Sequence, residues 1–384
     1  MPEAVIVNAL RTPVGTAFKG TLRDTTAFDL AHRIVGAAVG GLDPDRVDDV
    51  VLGEGLYGGG VLARHAALTT GLTSIPGQAV NRHCAAGLTA VAGAAASIRA
   101  GMDELVVAGG VNSASTAPKS RFWIDGEWVE PWLPPTHPDR PDAPNSDMSI
   151  TIGWNVAVRA GIGREEMDAW ALRSHRNAVR AIDEGRFDAE IVPVETVHGL
   201  FSVDEHPRRD TSPEKLAALK PLHPEIEGFS ITAGNACGGN DGAAALVVAS
   251  AEAAATEGLP ALATVRSWAS VGVDPAETGL SPVKAIPKAL ARAGLTTADV
   301  DLFEINEAFV SVAVAAVRLL DLDPDRVNVN GSGCSLGHPV AATGARMLVT
   351  LVHELRRRGG GIGVASMCAG GGMGSAMVVE VPAP

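Results

Sequence analysis

Two hydrophobic periods alternate along this chain. Residues 4–9 read as a short apolar strand, residues 28–39 place apolar side chains at helical spacing, and brief apolar runs at 50–52 and 79–81 read as further strands. Residues 85–100 are almost wholly small and apolar. They end at Gly101, which suits a left-handed helix terminus, and lead into a strand at 104–108. A helix that is apolar on every side is buried, so this one is expected in the interior. The alternation predicts a layered α/β protein.

From about Asn112 to Thr232 the texture changes. Prolines and tryptophans crowd the stretch RFWIDGEWVEPWLPPTHPDRPDAP, no strand or helix period survives there, and a helix over 164–185 is the clearest element. Linkers rarely carry so many tryptophans, so the stretch is read as an inserted, loop-rich subdomain. After Gly234 the alternation resumes. A helix expected over 338–358, glycines at 359 and 360, a strand at 362–366 and a glycine-rich turn repeat the order seen from Cys84 to Gly110. The chain is therefore divided into a first α/β half at 1–111 that returns at 233–260, an insert at 112–232, and a second half at 261–384. A ligand site is expected where two such halves meet.

Composition narrows the class. The 384 residues are 46% hydrophobic but only 4% aromatic, with 44 glycines, which favours close helix–sheet packing. The formal charge of −13 argues against nucleic acid or an anionic membrane as partner, and no local basic patch offsets it. No apolar run reaches the ~18 residues of a membrane span, and an acid near the N-terminus is unlike an export signal. Four cysteines, Cys84, Cys237, Cys334 and Cys368, are too few for a disulfide scaffold and fit a reducing cytoplasm. No Cys-x-x-Cys pair is present, which disfavours a zinc site.

Four segments carry candidate chemistry. In Asn81-Arg82-His83-Cys84-Ala85-Ala86-Gly87-Leu88 a cysteine stands at a strand-to-helix boundary, where unpaired helix N–H groups are expected to lower its pKa and favour a thiolate nucleophile. In Asn330-Gly331-Ser332-Gly333-Cys334-Ser335-Leu336-Gly337-His338-Pro339 a glycine-rich turn delivers His338 to the start of a helix, with Pro339 in its first turn, and His338 is a candidate base for Cys84. In Met367-Cys368-Ala369-Gly370-Gly371-Gly372 the glycines allow close backbone approach and N–H groups aimed at an oxyanion. Asn306, in Glu304-Ile305-Asn306-Glu307-Ala308-Phe309, could orient a water or donate to an oxyanion. Each has a plain structural alternative. Cys84 fits a small buried residue, His338 a capping or core histidine, Asn306 an N-cap, and the glycine run a tight hairpin.

Together these segments resemble the thiolase superfamily. The resemblance runs through Arg11-Thr12-Pro13, the Cys84 segment, Thr232-Ala233-Gly234-Asn235, Asn240-Asp241-Gly242-Ala243-Ala244, Asn306-Glu307-Ala308-Phe309, Gly337-His338-Pro339 and Cys368-Ala369-Gly370-Gly371-Gly372. It implies a five-layered αβαβα fold of two duplicated halves with a loop domain over coenzyme A, and a homodimer or homotetramer. It also implies an acyltransferase that cleaves or forms 3-oxoacyl-coenzyme A, with degradative or broad acyl specificity. Coenzyme A is then a substrate, and no permanent cofactor or metal is required. By resemblance Cys84 carries the acyl group, His338 activates it and Cys368 moves a proton on carbon. Asn306 and His338 would form one oxyanion site, and the N–H groups of Cys84 and Gly370 the other. Coenzyme A and substrate contacts are implied for Met148, Arg208, Ala233, Gly234, Cys237 and Phe309.

Several positions depart from the family's usual pattern. Cys237 stands where a serine is common, Cys334 lies in an altered run before Gly337, Ala341 replaces a glycine, and Thr278 falls where acetoacetyl-specific members often carry methionine. A pocket altered in this way would accept something other than an acetoacetyl group. A non-catalytic coenzyme A-binding protein of the same fold is the alternative, and the presence of all four candidate catalytic residues argues against it. A Cys–His hydrolase is disfavoured by the second cysteine.

Overall fold

A computed structural model describes residues 2–57, 61–131 and 134–383. In chain order the first half supplies β1 (Ala4–Arg11), α1 (Ala27–Ala38), β2 (Asp49–Gly53), α2 (Val61–Thr69), β3 (Gly77–Val80), α3 (Ala86–Ala100) and β4 (Leu105–Ser113). A long excursion containing α4 (Arg164–Asp183) follows, and the chain returns in β5 (Asn240–Ser250). The second half supplies β6 (Ala263–Gly272), α5 (Ser281–Ala293), β7 (Leu302–Ile305), α6 (Val310–Leu319), α7 (Thr343–Arg357), β8 (Gly361–Ala369) and β9 (Met373–Val381).

The strands hydrogen-bond along one path, β7-β8-β9-β6-β1-β5-β4-β2-β3. Its two sides have the same wiring. In the first half β1 pairs antiparallel with β5, β5 antiparallel with β4, β4 parallel with β2, and β2 parallel with β3. In the second, β6 pairs antiparallel with β9, β9 antiparallel with β8, and β8 parallel with β7, which makes a parallel bridge to Val327. The duplication expected from sequence pattern is thus present in the topology. Two register pairs, Val5 with Thr264 and Ile6 with Ala263, join the halves.

Five layers result. Leu30 and Ile34 of α1 and Leu62 and Ala66 of α2 pack on one face of the first half with Val5, Val7, Val107 and Val247. The opposite face, with Ile6, Val106 and Leu246, packs on α3 and α7 through Leu88, Val91, Ile98, Leu348, Leu351 and Leu355. That same layer meets Ala365, Met367, Met377 and Val379 of the second half, whose far face is covered by α5 and α6. Successive strand residues point to opposite faces, and both faces are covered here, so the strands read as continuous apolar runs rather than alternating ones.

Local signals explain most helix ends. Thr26 caps α1 in a reciprocal capping box with Asp29, and Gly101 closes α3 in the left-handed region at φ 73°. Three expectations need correction. The helix expected from 338 begins only at Thr343, and Pro339 lies ahead of it in a turn closed by Ala342 and Thr343 N–H groups on its carbonyl. Asn306 is not an N-cap, because α6 begins at Val310 behind Phe309. The tryptophan-rich stretch does hold strands, a hairpin of Phe122–Ile124 with Glu127–Val129 whose Trp123 and Trp128 rings meet edge to face at 5.2 Å.

The excursion leaves and returns at adjacent strand ends, Ser113 opposite Asp241. It is held down by charge as well as packing. Arg11, fully buried at the end of β1, donates from Nε to Glu190 at 2.6 Å and from Nη1 to Asp204 at 2.8 Å. Burial alone would lower the guanidinium's pKa, but the two carboxylates overcome it and raise it. Met167 and Leu172 of α4 join a core cluster with Phe309, Val312 and Cys368.

Candidate active site

A cavity of about 380 Å³ opens between the halves and the excursion. Each element contributes at its end. Cys84 comes from the turn before α3, His338 from the turn before α7, Gly370 from the tip of the β8–β9 hairpin, Cys237 and Phe309 from the segments before β5 and α6, and Met148 from the excursion. Cys84, Cys237, Met148, Phe309, His338 and Gly370 are therefore brought together as expected from the sequence. Arg208, Ala233 and Gly234 do not line this cavity. Arg208 Nη2 lies 3.4 Å from the Ala233 carbonyl on the exposed side, and Gly234 is buried with its carbonyl 3.6 Å from the Cys334 sulfur.

Cys84 sits two residues ahead of α3 rather than on its first turn. Burial pushes its thiol up to about 11, while the nearby backbone N–H groups of Gly370 and of Cys84 itself pull the other way. The expected depression at the helix start is therefore overturned, because desolvation outweighs the two N–H groups. Those two N–H groups come from different halves of the molecule. Gly371 and Gly372, at φ 84° and 75°, make the left-handed turn that brings Gly370 there, so the glycine run is both hairpin and N–H donor.

His338 is buried and tightly held. Its backbone N–H donates to Asn240 Oδ1 at 2.8 Å, and ring Nδ1 lies 2.6 Å from Thr343 Oγ1. Thr343 Oγ1 in turn donates to the Pro339 carbonyl at 2.9 Å. The tautomer satisfying both contacts carries its proton on Nδ1 and leaves Nε2 bare, the form a base requires. Burial lowers the ring's pKa to about 3, and the Arg346 guanidinium adds to the effect. Asn306 Nδ2 lies 3.4 and 3.5 Å from the two ring nitrogens, and its buried Oδ1 has no hydrogen-bond partner among the described residues.

Cys368 is fully buried at the end of β8, within electrostatic reach of Cys84 and Cys237, and burial raises its thiol above the usual range. Cys237 is pushed up to about 12, by burial and then by Cys84, and its N–H donates to the Ala308 carbonyl at 2.9 Å. Glu307 beside Asn306 fixes the second half to the excursion, accepting from Trp170, Ser174, Asn328 and the Cys334 N–H. Sequence reasoning missed His83, Thr136, Asn145, Ile152 and Val340 on the cavity wall, and Thr343 and Asn240 behind His338. Thr136 and Asn145 lie in the aperiodic stretch, where no pattern marks which side chains face inward.

The site as built is a cysteine near two backbone N–H groups, a neutral imidazole with an unprotonated nitrogen, and a second thiol close by. Such a set of groups is suited to acyl transfer. The chain matches the family models "Thiolase, N-terminal domain" over residues 4–252 and "Thiolase, C-terminal domain" over residues 259–381. It is 43% identical to an acetyl-CoA acetyltransferase of Escherichia coli (strain K12) and 39% identical to a 3-ketoacyl-CoA thiolase of Bacillus subtilis (strain 168), in alignments spanning 99% of this chain and at least 99% of each relative. The crystal structure of the Bacillus anthracis acetyl-CoA acetyltransferase superposes with a TM-score of 0.90 at 41% identity, each chain covered to 99%. That of human mitochondrial 3-ketoacyl-CoA thiolase superposes with 0.91 at 36% identity, covering 100% of this chain and 99% of the other. The chain belongs to the thiolase superfamily. It is a catalytic thiolase, an acyltransferase.

Proposed function

We propose that this thiolase cleaves and forms 3-oxoacyl-coenzyme A through an acyl group carried on Cys84. The observation that carries the reading is that Cys84, His338 and Gly370 line one cavity, with the backbone N–H groups of Gly370 and Cys84 near enough to the sulfur to favour negative charge there. His338 Nε2 takes the Cys84 proton as the thiol attacks the substrate carbonyl, and the two N–H groups stabilise the oxyanion. Cys368 removes or returns the proton at the carbon beside the thioester. Asn306, through a water held by its side chain, and His338 stabilise the enolate oxygen of the second substrate. One group holds the acyl unit while another moves the proton, which splits a difficult exchange into two easier steps.

The reading makes coenzyme A a substrate, with Met148, Phe309 and Cys237 along its arm inside the cavity and Arg208, Ala233 and Gly234 at the outer approach. It makes residues 112–232 the cover over that arm, set between halves at 1–111 with 233–260 and at 261–384. It includes a homodimer or homotetramer in the cytoplasm. In support of a non-membrane setting, no helix among the described residues is long and apolar enough to cross a membrane.

Incubation with acetyl-coenzyme A followed by peptide mapping tests the reading. One acetyl group is expected on the peptide holding Cys84, and none in Cys84→Ala. Cys368→Ala should still acylate Cys84 yet lose both condensation and solvent-deuterium exchange at the acetyl methyl. Acetyl found only on Cys237 or Cys334, or a Cys368→Ala enzyme that condenses near the parent rate, would refute the assignment.

A further inference from the structure

His83 immediately precedes Cys84 and lines the same cavity. Its backbone is in the left-handed region at φ 46°, costly for a residue with a Cβ, and the turn is held by its own N–H donating to Asn81 Oδ1 at 2.9 Å and by its carbonyl accepting from Ala86 N–H at 3.0 Å. The turn sets the ring close to the hairpin tip, with Cγ 4.0 Å from where a Cβ on Gly370 would sit. No hydrogen-bond partner for either ring nitrogen is found among the described residues, and burial lowers the ring's pKa, keeping it neutral at physiological pH. The walls around it are largely apolar, with Leu56, Met148, Ile152, Phe309 and Val340, and no charged side chain lines the cavity among the described residues.

A neutral imidazole has one donor and one acceptor to offer, and a substrate that displaces water from them without replacing its hydrogen bonds binds less well. We infer that His83 is a specificity-determining residue that hydrogen-bonds an uncharged oxygen, a hydroxyl or carbonyl, carried by the acyl chain of the substrate. The inference rests on the reading of this cavity as the acyl site. A carboxylate is disfavoured, because nothing in the lining balances its charge. A purely alkyl chain leaves the ring nitrogens unmatched.

The test compares thiolysis of 3-oxohexanoyl-coenzyme A, its 5-hydroxy and 6-hydroxy derivatives, and the six-carbon analogue ending in a carboxylate. The parent enzyme should favour at least one hydroxylated substrate over the alkyl one by about tenfold in kcat/KM, the worth of one well-placed hydrogen bond. His83→Gly, which removes the ring without backbone conflict at this φ, and His83→Phe, which keeps the ring's bulk, should both lose that preference. The inference is overturned if either variant keeps the hydroxyl preference, if both lose activity on all substrates equally, or if the parent prefers the carboxylate. Acetyl labelling of the parent separates the two claims. Acetyl on Cys84 with an unchanged substrate ratio in the variants defeats only the role of His83, whereas no acetyl on Cys84 defeats the reading of the cavity.

Discussion

At Cys84 two effects oppose each other, burial raising the thiol and two N–H groups lowering it, and burial wins at about 11. His338 is displaced in the opposite sense, to about 3. The resting pair is therefore a neutral thiol beside a neutral imidazole, and the proton moves only as the carbonyl is attacked. The thiolate is the alkylating form, so its fraction should climb about tenfold per pH unit anywhere below the folded pKa. Alkylation of the Cys84 peptide by iodoacetamide should accordingly keep rising from pH 6 to pH 9. A plateau reached below pH 7 would mean a preformed thiolate–imidazolium pair and contradict this. Thr343 acts through His338 rather than on substrate. Thr343→Val keeps the shape but removes the acceptor for Nδ1–H, freeing the ring to adopt the other tautomer. Acylation should slow by about tenfold or more, short of the roughly 100-fold expected for loss of the base itself, and Thr343→Ser should restore it. Equal rates in Thr343→Val and the parent, measured by rapid quench, would remove Thr343 from the mechanism.

Among the elements, the turn of residues 339–342 carries a heavy steric demand. A Cβ on Gly87 would stand 2.8 Å from the Ala341 carbonyl oxygen, and one on Gly110 would overlap that oxygen. Helix α3 and strand β4 thus approach the turn that positions His338 by backbone contact, which only glycine permits. Gly110→Ala should cost about 2 kcal/mol or more in urea unfolding, as overpacking of a tight core does. A midpoint equal to the parent's would mean the turn yields freely. This geometry also shows what a sequence conceals. The buried helix α3 was legible because a run of almost wholly small and apolar residues from 85 to 100, closed by Gly101, admits little else. The start of α7 was not, because Pro339 fits a first helical turn as well as it fits the bend that precedes one, and only the packing of Ala341 on the glycines of the other half decides. Asn306 was ambiguous for the same reason, since a capping side chain and one facing a histidine look identical in one dimension. Cys84, His338 and Gly370 could be singled out as residues, but their convergence depends on contacts between halves far apart in sequence.

The whole molecule is fastened through its middle layer more than through its sheet. Among the described residues two register pairs join the halves, whereas α3 and α7 share one apolar cluster with strands of both. Leu348→Ala, deep in that cluster, should cost about 2–5 kcal/mol and lower a single cooperative transition. Two separated transitions in calorimetry would show halves that stand alone. The excursion has its own logic in this plan. It connects β4 to β5, where the second half joins the equivalent β8 and β9 by the Gly370–Gly372 turn alone. Since Ser113 and Asp241 are already paired neighbours, lengthening the link there adds little closure entropy. The repeat also gives Cys84 a counterpart. Ala341 stands two residues ahead of α7 as Cys84 stands two ahead of α3, yet its carbonyl is pressed onto Gly87 and Gly110. What is a vestibule in one copy is a plug in the other. On the proposed reading duplication leaves one working seat per chain, and titration with acetyl-coenzyme A should saturate at a single acetyl equivalent.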